Sequence, residues 1–300
     1  MIIPSRWFAG GRGLDNFRQE MLKDDRSRVL VDYLDSRECF PTVDVAGGVC
    51  YFLWNRDQRG DCEVVSHVKR GVPTRATRPL LEPGADVFVR YNDGISILKK
   101  VVVVESGSGT DSLEIPPDRK FSRQVSGQKP FGLRTYFRGD AAKRRADDVR
   151  VLQSGGGGWT RRAEVTDGVE HIDKWKVFTS KSSSEHAGQT DSAGRRRVLS
   201  KSGVLPPGTV VTETYVLLGT FDTEREATNC FSYVQTRLFR FLIILRSSSQ
   251  DIARSAYRFV PVQDFTEPWS DEKLYARYGI TEDEVAFIES LVRPMDVSDE

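Results

Sequence analysis

Basic and aromatic side chains interleave at three places in this 300-residue chain. In KPFGLRTYF, residues 129–137, Arg134 precedes Tyr136 by two positions, and Arg138 follows directly. A run of four glycines, 155–158, leads into Trp159, Arg161 and Arg162. Lys174 and Lys176 flank Trp175. Guanidinium and ammonium groups can take phosphates while aromatic rings stack on an extruded base. The pattern therefore predicts nucleic-acid contacts at Arg134, Arg138, Arg161, Arg162, Lys174 and Lys176, with Tyr136 and Trp159 as stacking residues. Two plainer readings stay open: a strand with one half-exposed face for 129–137, and a flexible loop for the glycine run.

The charge distribution points the same way. The net charge is only +1, but residues 119–162 hold twelve bases against three acids, and residues 264–300 hold eleven acids against three bases. A basic middle with an acidic tail suits a protein that meets a polyanion with one face. An ordinary uneven surface would read similarly.

Other chemistry finds little footing. There is no Gly-x-Ser-x-Gly, no Walker loop and no H-E-x-x-H. Asp271 and Lys273 make only a fragment of a nuclease-like acid-x-Lys pattern, inside a helix cap. Cys39, Cys50, Cys62 and Cys230 are scattered, as are His67, His171 and His186, which speaks against zinc and against a disulfide framework. Free thiols, no apolar run of about 18 residues and no signal-peptide pattern predict a cytoplasmic protein that engages no membrane.

The elements that must carry these residues follow from periodicity. Residues 222–245 predict one long helix, with Thr223 and Glu226 as a capping box. Its apolar stripe is Ala227, Phe231, Val234, Leu238, Phe241 and Leu245. Arg225, Arg237 and Arg240 fall elsewhere, either as a solvated edge or as a face toward nucleic acid. At the front, 1–8 reads as strand then loop, with Gly10, Gly11 and Gly13 in a turn that either approaches a phosphate or simply connects. Leu14, Phe17 and Met21 mark a helix at 15–23. Residues 28–34 and 45–54 read as strands. Such a sheet, with one helix, leaves an apolar face and a strand edge open. A partner chain covers them, or preceding polypeptide is missing; Met1 at the first strand favours the latter.

Beyond residue 57, strands are predicted at 64–68, 87–91 and 96–105, with Asn92-Asp93-Gly94 as a hairpin turn. Further strands fall at 174–178, 210–218 and 257–262, and 181–209 reads as a long loop. Helix starts are marked at Ser270 and at Thr281 with Glu284. Those terminal helices carry packing rather than chemistry.

The run IIPSRWFAGGRGLDNFRQEML followed by RVLVDYLDSRECFPTVDVAGGVCYFLWNRD resembles the distal half of the catalytic domain of adenine-specific DNA methyltransferases. The bacterial restriction–modification enzymes are most similar, including those that join methylation and cleavage in one chain. KPFGLRTYF, KWKVF, LPPGTVVTETYVLLGTF, EREATNCFSYVQTRLFRFL, YRFVPVQDF and WSDEKLYARYGITEDEVAFIES resemble that family's downstream region, so the likeness runs over nearly the whole chain.

The resemblance implies a partial α/β fold at 1–56, the end of a doubly wound methyltransferase sheet, followed by an α+β target-recognition domain at 57–300 with C-terminal helices. It implies double-stranded DNA as a partner, beside the N-terminal methyltransferase portion or a separate catalytic subunit. Family members bind S-adenosylmethionine, flip the target adenine and methylate its exocyclic amine. The chain departs in lacking both the Asn/Asp-Pro-Pro-aromatic motif and the acid-x-Phe-x-Gly-x-Gly loop. Its two Pro-Pro pairs follow Ile115 and Leu205. No catalytic or cofactor-binding residue carries over, and no cofactor is expected to bind this chain alone. The expectation is sequence recognition within an adenine-N6 methyltransferase; the alternatives are a non-enzymatic specificity module and a plain scaffold.

Overall fold

The computed structural model describes residues 1–9, 13–68, 72–183, 190–247 and 252–295. The turn at Gly10 and Gly11, and His186, lie outside them. A five-stranded sheet opens the chain, from β1 (Ile3–Pro4), β2 (Ser27–Tyr33), β3 (Val49–Trp54), β4 (Cys62–His67) and β5 (Thr74–Arg78). The order is β1-β3-β2-β4-β5, and only β2 and β4 run parallel. The sheet thus passes residue 56 and ends at Arg78. The opening strand is two residues long; Ser5–Phe8 is a 3₁₀ turn instead. Helix α1 (Asp15–Lys23) forms as its periodicity predicts, but Arg18 and Leu22 make its buried side, while Phe17 is exposed. Trp7, Phe8, Leu22, Leu30, Val64 and Phe88 share one core.

Residues 96–105 form no strand. They belong to α2 (Asn92–Ser106). Four consecutive valines favour a strand locally, but the partners here ask for a helical period. Ile97, Leu98, Val101 and Val102 are all 0% exposed, whereas Val103 and Val104 face outward. Asn92 is no hairpin residue either. Its Oδ1 accepts from Arg78 Nε at 3.0 Å and its Nδ2 donates to the Val64 carbonyl at 3.1 Å, so it pins the helix start to the sheet. Gly94 sits against Leu245, where a Cβ would stand 2.5 Å from a methyl carbon. Residues 87–91 are buried coil.

Two small sheets follow. One has the order β10-β6-β7, from β6 (Val149–Gln153), β7 (Gly156–Thr160) and β10 (Thr209–Val211). The other is β11-β8-β9, from β8 (Trp175–Ser180), β9 (Ser202–Leu205) and β11 (Tyr215–Phe221). Part of the 181–209 stretch read as loop is therefore strand, and the 210–218 strand is two strands. Both sheets share a core with Phe131, Leu133, Val151, Phe178, Val210 and Leu217. Residues 129–137 form turns, not a strand.

The long helix predicted over 222–245 is two helices, α3 (Glu224–Gln235) and α4 (Arg237–Arg246). Thr236 breaks it. Its ψ is 151°, and its hydroxyl accepts from Phe239 N, so the residue is a second N-cap. Arg240 fills the break. It is 0% exposed, and its guanidinium donates to the carbonyls of Gln235, Thr236, Arg197 and Arg293. Arg237 pairs with Glu289 at 2.8 Å, and Arg225 donates to the Thr266 carbonyl. Arg240 thus holds the helical layer together from inside, while Arg237 and Arg225 tie its surface to Glu289 and Thr266. Helices α5 (Asp271–Tyr278) and α6 (Glu282–Leu291) start at Ser270 and Thr281 as predicted, the second with a full capping box. The stretch 257–262 is a 3₁₀ end and coil rather than a strand. Helices α2 to α6 enclose the largest core.

Candidate nucleic-acid interface

The four-glycine run is neither a free loop nor a groove. It turns the β6–β7 hairpin and then forms β7. Gly155 and Gly156 have φ of +85° and +142°, which side chains rarely adopt. Gly158 serves a second purpose: a Cβ there would lie 3.1 Å from the Gly139 backbone. That clearance lets Asp140 bridge to Trp159 through two backbone hydrogen bonds of 2.7 and 2.9 Å, covering the β7 edge.

This close approach assembles a basic and aromatic surface. Lys143 Nζ stands 5.4 Å from the centroid of the Trp159 ring. Arg150 is the cross-strand partner of Trp159, so both side chains leave the same face of the hairpin. Arg144 pairs with Asp140 at 3.1 Å. The Lys143–Arg145 turn is anchored by Asp148, whose Oδ2 accepts from the N–H groups of Arg144 and Arg145 at 2.9 and 2.8 Å. Those donors, Arg144 first, hold the Asp148 carboxyl below its ordinary pKa. Among the described residues Lys143, Arg145 and Arg150 form no ion pair. A guanidinium or ammonium left without a carboxylate is free to neutralise a phosphate.

The eight residues expected from the sequence are distributed over this region rather than gathered at one point. Trp159 and Arg161 lie at the hairpin. Arg161 binds Glu164 through Nε at 2.9 Å and Nη2 at 2.6 Å, an exposed pair of the kind that contributes little and exchanges easily. Arg134, Tyr136 and Arg138 lie on the preceding turns. Arg134 approaches Glu213 at 3.8 Å, Tyr136 is 80% exposed, and Arg138 curls back onto the carbonyls of Thr135 and Phe137. Arg162 pairs with Asp173, and Lys174 with Asp222.

Lys176 is a correction. It is 0% exposed, and its ammonium donates to the carbonyls of His171, Ile172 and Lys174, so it closes a turn and reaches no phosphate. Lys143, Arg145 and Arg150 all lie outside the eight residues named from the sequence, and Arg150 was missed altogether. Its signal was the alternation Val149-Arg150-Val151, an apolar–basic–apolar strand two residues before a turn.

Burial lowers the Lys176 pKa from its ordinary 10.5 to about 8. Between those values the unfolded chain holds a proton that the folded chain has released. Stability contributed by Lys176 should therefore rise with pH from about 8 to 10.5 and be lowest below 8. Urea denaturation of wild type and Lys176→Met across that range checks this. The difference between them should move in favour of wild type as pH rises, and a pH-independent difference would refute it.

Comparison with known proteins adds kinship but not identity. No protein-family model matches the chain. A 61-residue segment, 20% of the chain, is 33% identical to an "Uncharacterized adenine-specific methylase" of Mycoplasma pneumoniae, over 14% of that protein's own length. The chain is thus methylase-related over about a fifth of its length.

Proposed function

We propose that this chain is the DNA-reading part of a site-specific adenine-N6 DNA methyltransferase of a restriction–modification system. In this reading the five-stranded sheet is the end of the catalytic domain, and the two small sheets with helices α2 to α6 are the target-recognition region. The observation that carries it is the surface around Trp159, with Lys143, Arg145 and Arg150 in no ion pair among the described residues. The methylase-related segment and the +9 excess over residues 119–162 support it.

In this reading the S-adenosylmethionine site lies outside this chain. Asp32, the acid on the central strand β2, is 0% exposed and bound by Arg90 and Ser5. Asp35, just past that strand, caps its own turn and pairs with Arg37. Neither is left for a ribose hydroxyl, and no step of methyl transfer is assigned to this chain.

One experiment tests both halves. A fluorescent duplex is titrated with wild type and with a Lys143→Gln/Arg145→Gln/Arg150→Gln variant over a range of salt. The variant should bind more weakly, and its log K against log salt should flatten by roughly 0.9 for each phosphate contact removed. An unchanged slope eliminates the hairpin surface. In parallel, isolated wild-type chain should bind duplex yet incorporate no labelled methyl group. Incorporation would sink the assignment of chemistry outside this chain.

A further inference from the structure

A second basic site lies apart from the hairpin. A cavity of about 620 Å³ opens between the 3₁₀ turn at Phe121–Arg123, the end of β8 and the 3₁₀ turn at Arg254–Tyr257. Among the described residues four cations line it, Lys120, Lys181, Arg254 and Arg258, with the hydroxyl residues Ser122, Ser126 and Ser255, and no acid does.

The surrounding carboxylates are too few to neutralise those cations. Glu213 is shared between Lys181 and Arg134, at 3.8 Å from each. Asp86 is shared between Arg258 at 2.9 Å and Arg246 at 2.6 Å. Lys120 alone has its own acid, Glu114 at 2.6 Å. Arg254 meets no carboxylate among the described residues; its Nε donates to the Val125 carbonyl at 2.7 Å. The four lining cations thus have three acids among the described residues, two of them shared with Arg134 and Arg246, which lie outside the lining.

We infer that this cavity binds the phosphate groups of a nucleotide, supplied either free or as part of a DNA strand. Its volume is that of a small-molecule site. An excess of positive charge inside a concave wall focuses the field on an anion. Arginine and lysine together supply fork and point donors for phosphate oxygens. The serine hydroxyls at the wall add neutral donors, and Val216 and Ala253 add apolar wall. The inference does not depend on the hairpin surface.

Calorimetric titration of the full chain with ADP, inorganic pyrophosphate and adenosine tests it, with duplex DNA added in a second arm. ADP and pyrophosphate should bind at low salt and adenosine should not. Lys181→Gln and Arg258→Gln, each with its melting temperature checked, should weaken ADP about tenfold, the loss of one charge-assisted contact. Arg56→Gln, in the exposed turn after β3, should leave ADP binding unchanged. ADP that duplex displaces marks a strand phosphate as the natural occupant; ADP that duplex leaves in place marks a free nucleotide. ADP and pyrophosphate that fail to bind, or ADP binding that Lys181→Gln and Arg258→Gln do not weaken, would overturn the inference. Failure of the hairpin variant to affect duplex binding would leave it standing.

Discussion

Replacing Asp32 with alanine is expected to destabilise the protein by about 3–5 kcal/mol, the range for removing one member of a buried ion pair. Its carboxylate is 0% exposed. It accepts from Arg90 Nε and Nη2, both at 2.7 Å, and from Ser5 Oγ at 3.0 Å. Arg90 in turn donates to the Gly47 carbonyl and lies over the Phe8 ring. One carboxylate therefore joins four stretches far apart in sequence: the N-terminal turn, β2, the turn before β3, and the buried coil at 87–91. Without it, a guanidinium only 11% exposed keeps its charge and loses its counter-charge. The domain as a whole has a stability on the order of 5–15 kcal/mol, so the loss takes a large share. Urea denaturation measures it, and a change below about 1 kcal/mol would mean that the pair is replaced by water. An Asp32→Leu/Arg90→Met double variant should recover much of the loss, because the penalty lies in the orphaned charge.

Glu105→Ala should follow with about 2–4 kcal/mol. The Glu105 side chain is 0% exposed and sits near the end of α2. Its Oε2 accepts from Arg119 Nε at 2.9 Å; its Oε1 accepts from Arg277 Nη2 at 3.1 Å and from Tyr278 Oη at 2.8 Å. Gln263 donates to the same Tyr278 oxygen at 2.7 Å. Removal uncouples α2 from α5 and leaves a buried phenol hydroxyl without its acceptor. The effect is smaller than at Asp32 because Arg119 and Arg277 are each 37% exposed and can turn toward water. Glu105→Gln, which keeps an acceptor for Tyr278, should lose less than alanine. Equal losses in the two variants would show that the tyrosine contact contributes nothing.

Both sites show why part of this protein could be read early and part could not. The caps at Thr223, Ser270 and Thr281 were legible because a cap is made by residues three positions apart. Strands β2, β3 and β4 were legible from runs of apolar and β-branched residues. Helix α2 was not, because four valines satisfy a strand and a buried helix equally until their neighbours are known. The break at Thr236 was hidden for a related reason. The apolar stripe continues through it, and what ends α3 is a buried arginine collecting four carbonyls from three separate segments.

The basic region behaved the same way. Composition alone located a cationic stretch at 119–162, because charge needs no partner to be counted. Which cations are available was a tertiary decision. Lys176 and Arg240 disappeared into carbonyl cages, Arg161 and Arg162 acquired acids, and Lys143, Arg145 and Arg150 acquired none among the described residues. The sequence by itself determined local periods, caps and the sign of the charge, since each depends on residues within a few positions of one another. Only the packed chain decided helix against strand at α2, the close approach at Gly139 and Gly158, and which side chains meet water. Those outcomes depend on atoms brought together from tens to hundreds of positions away.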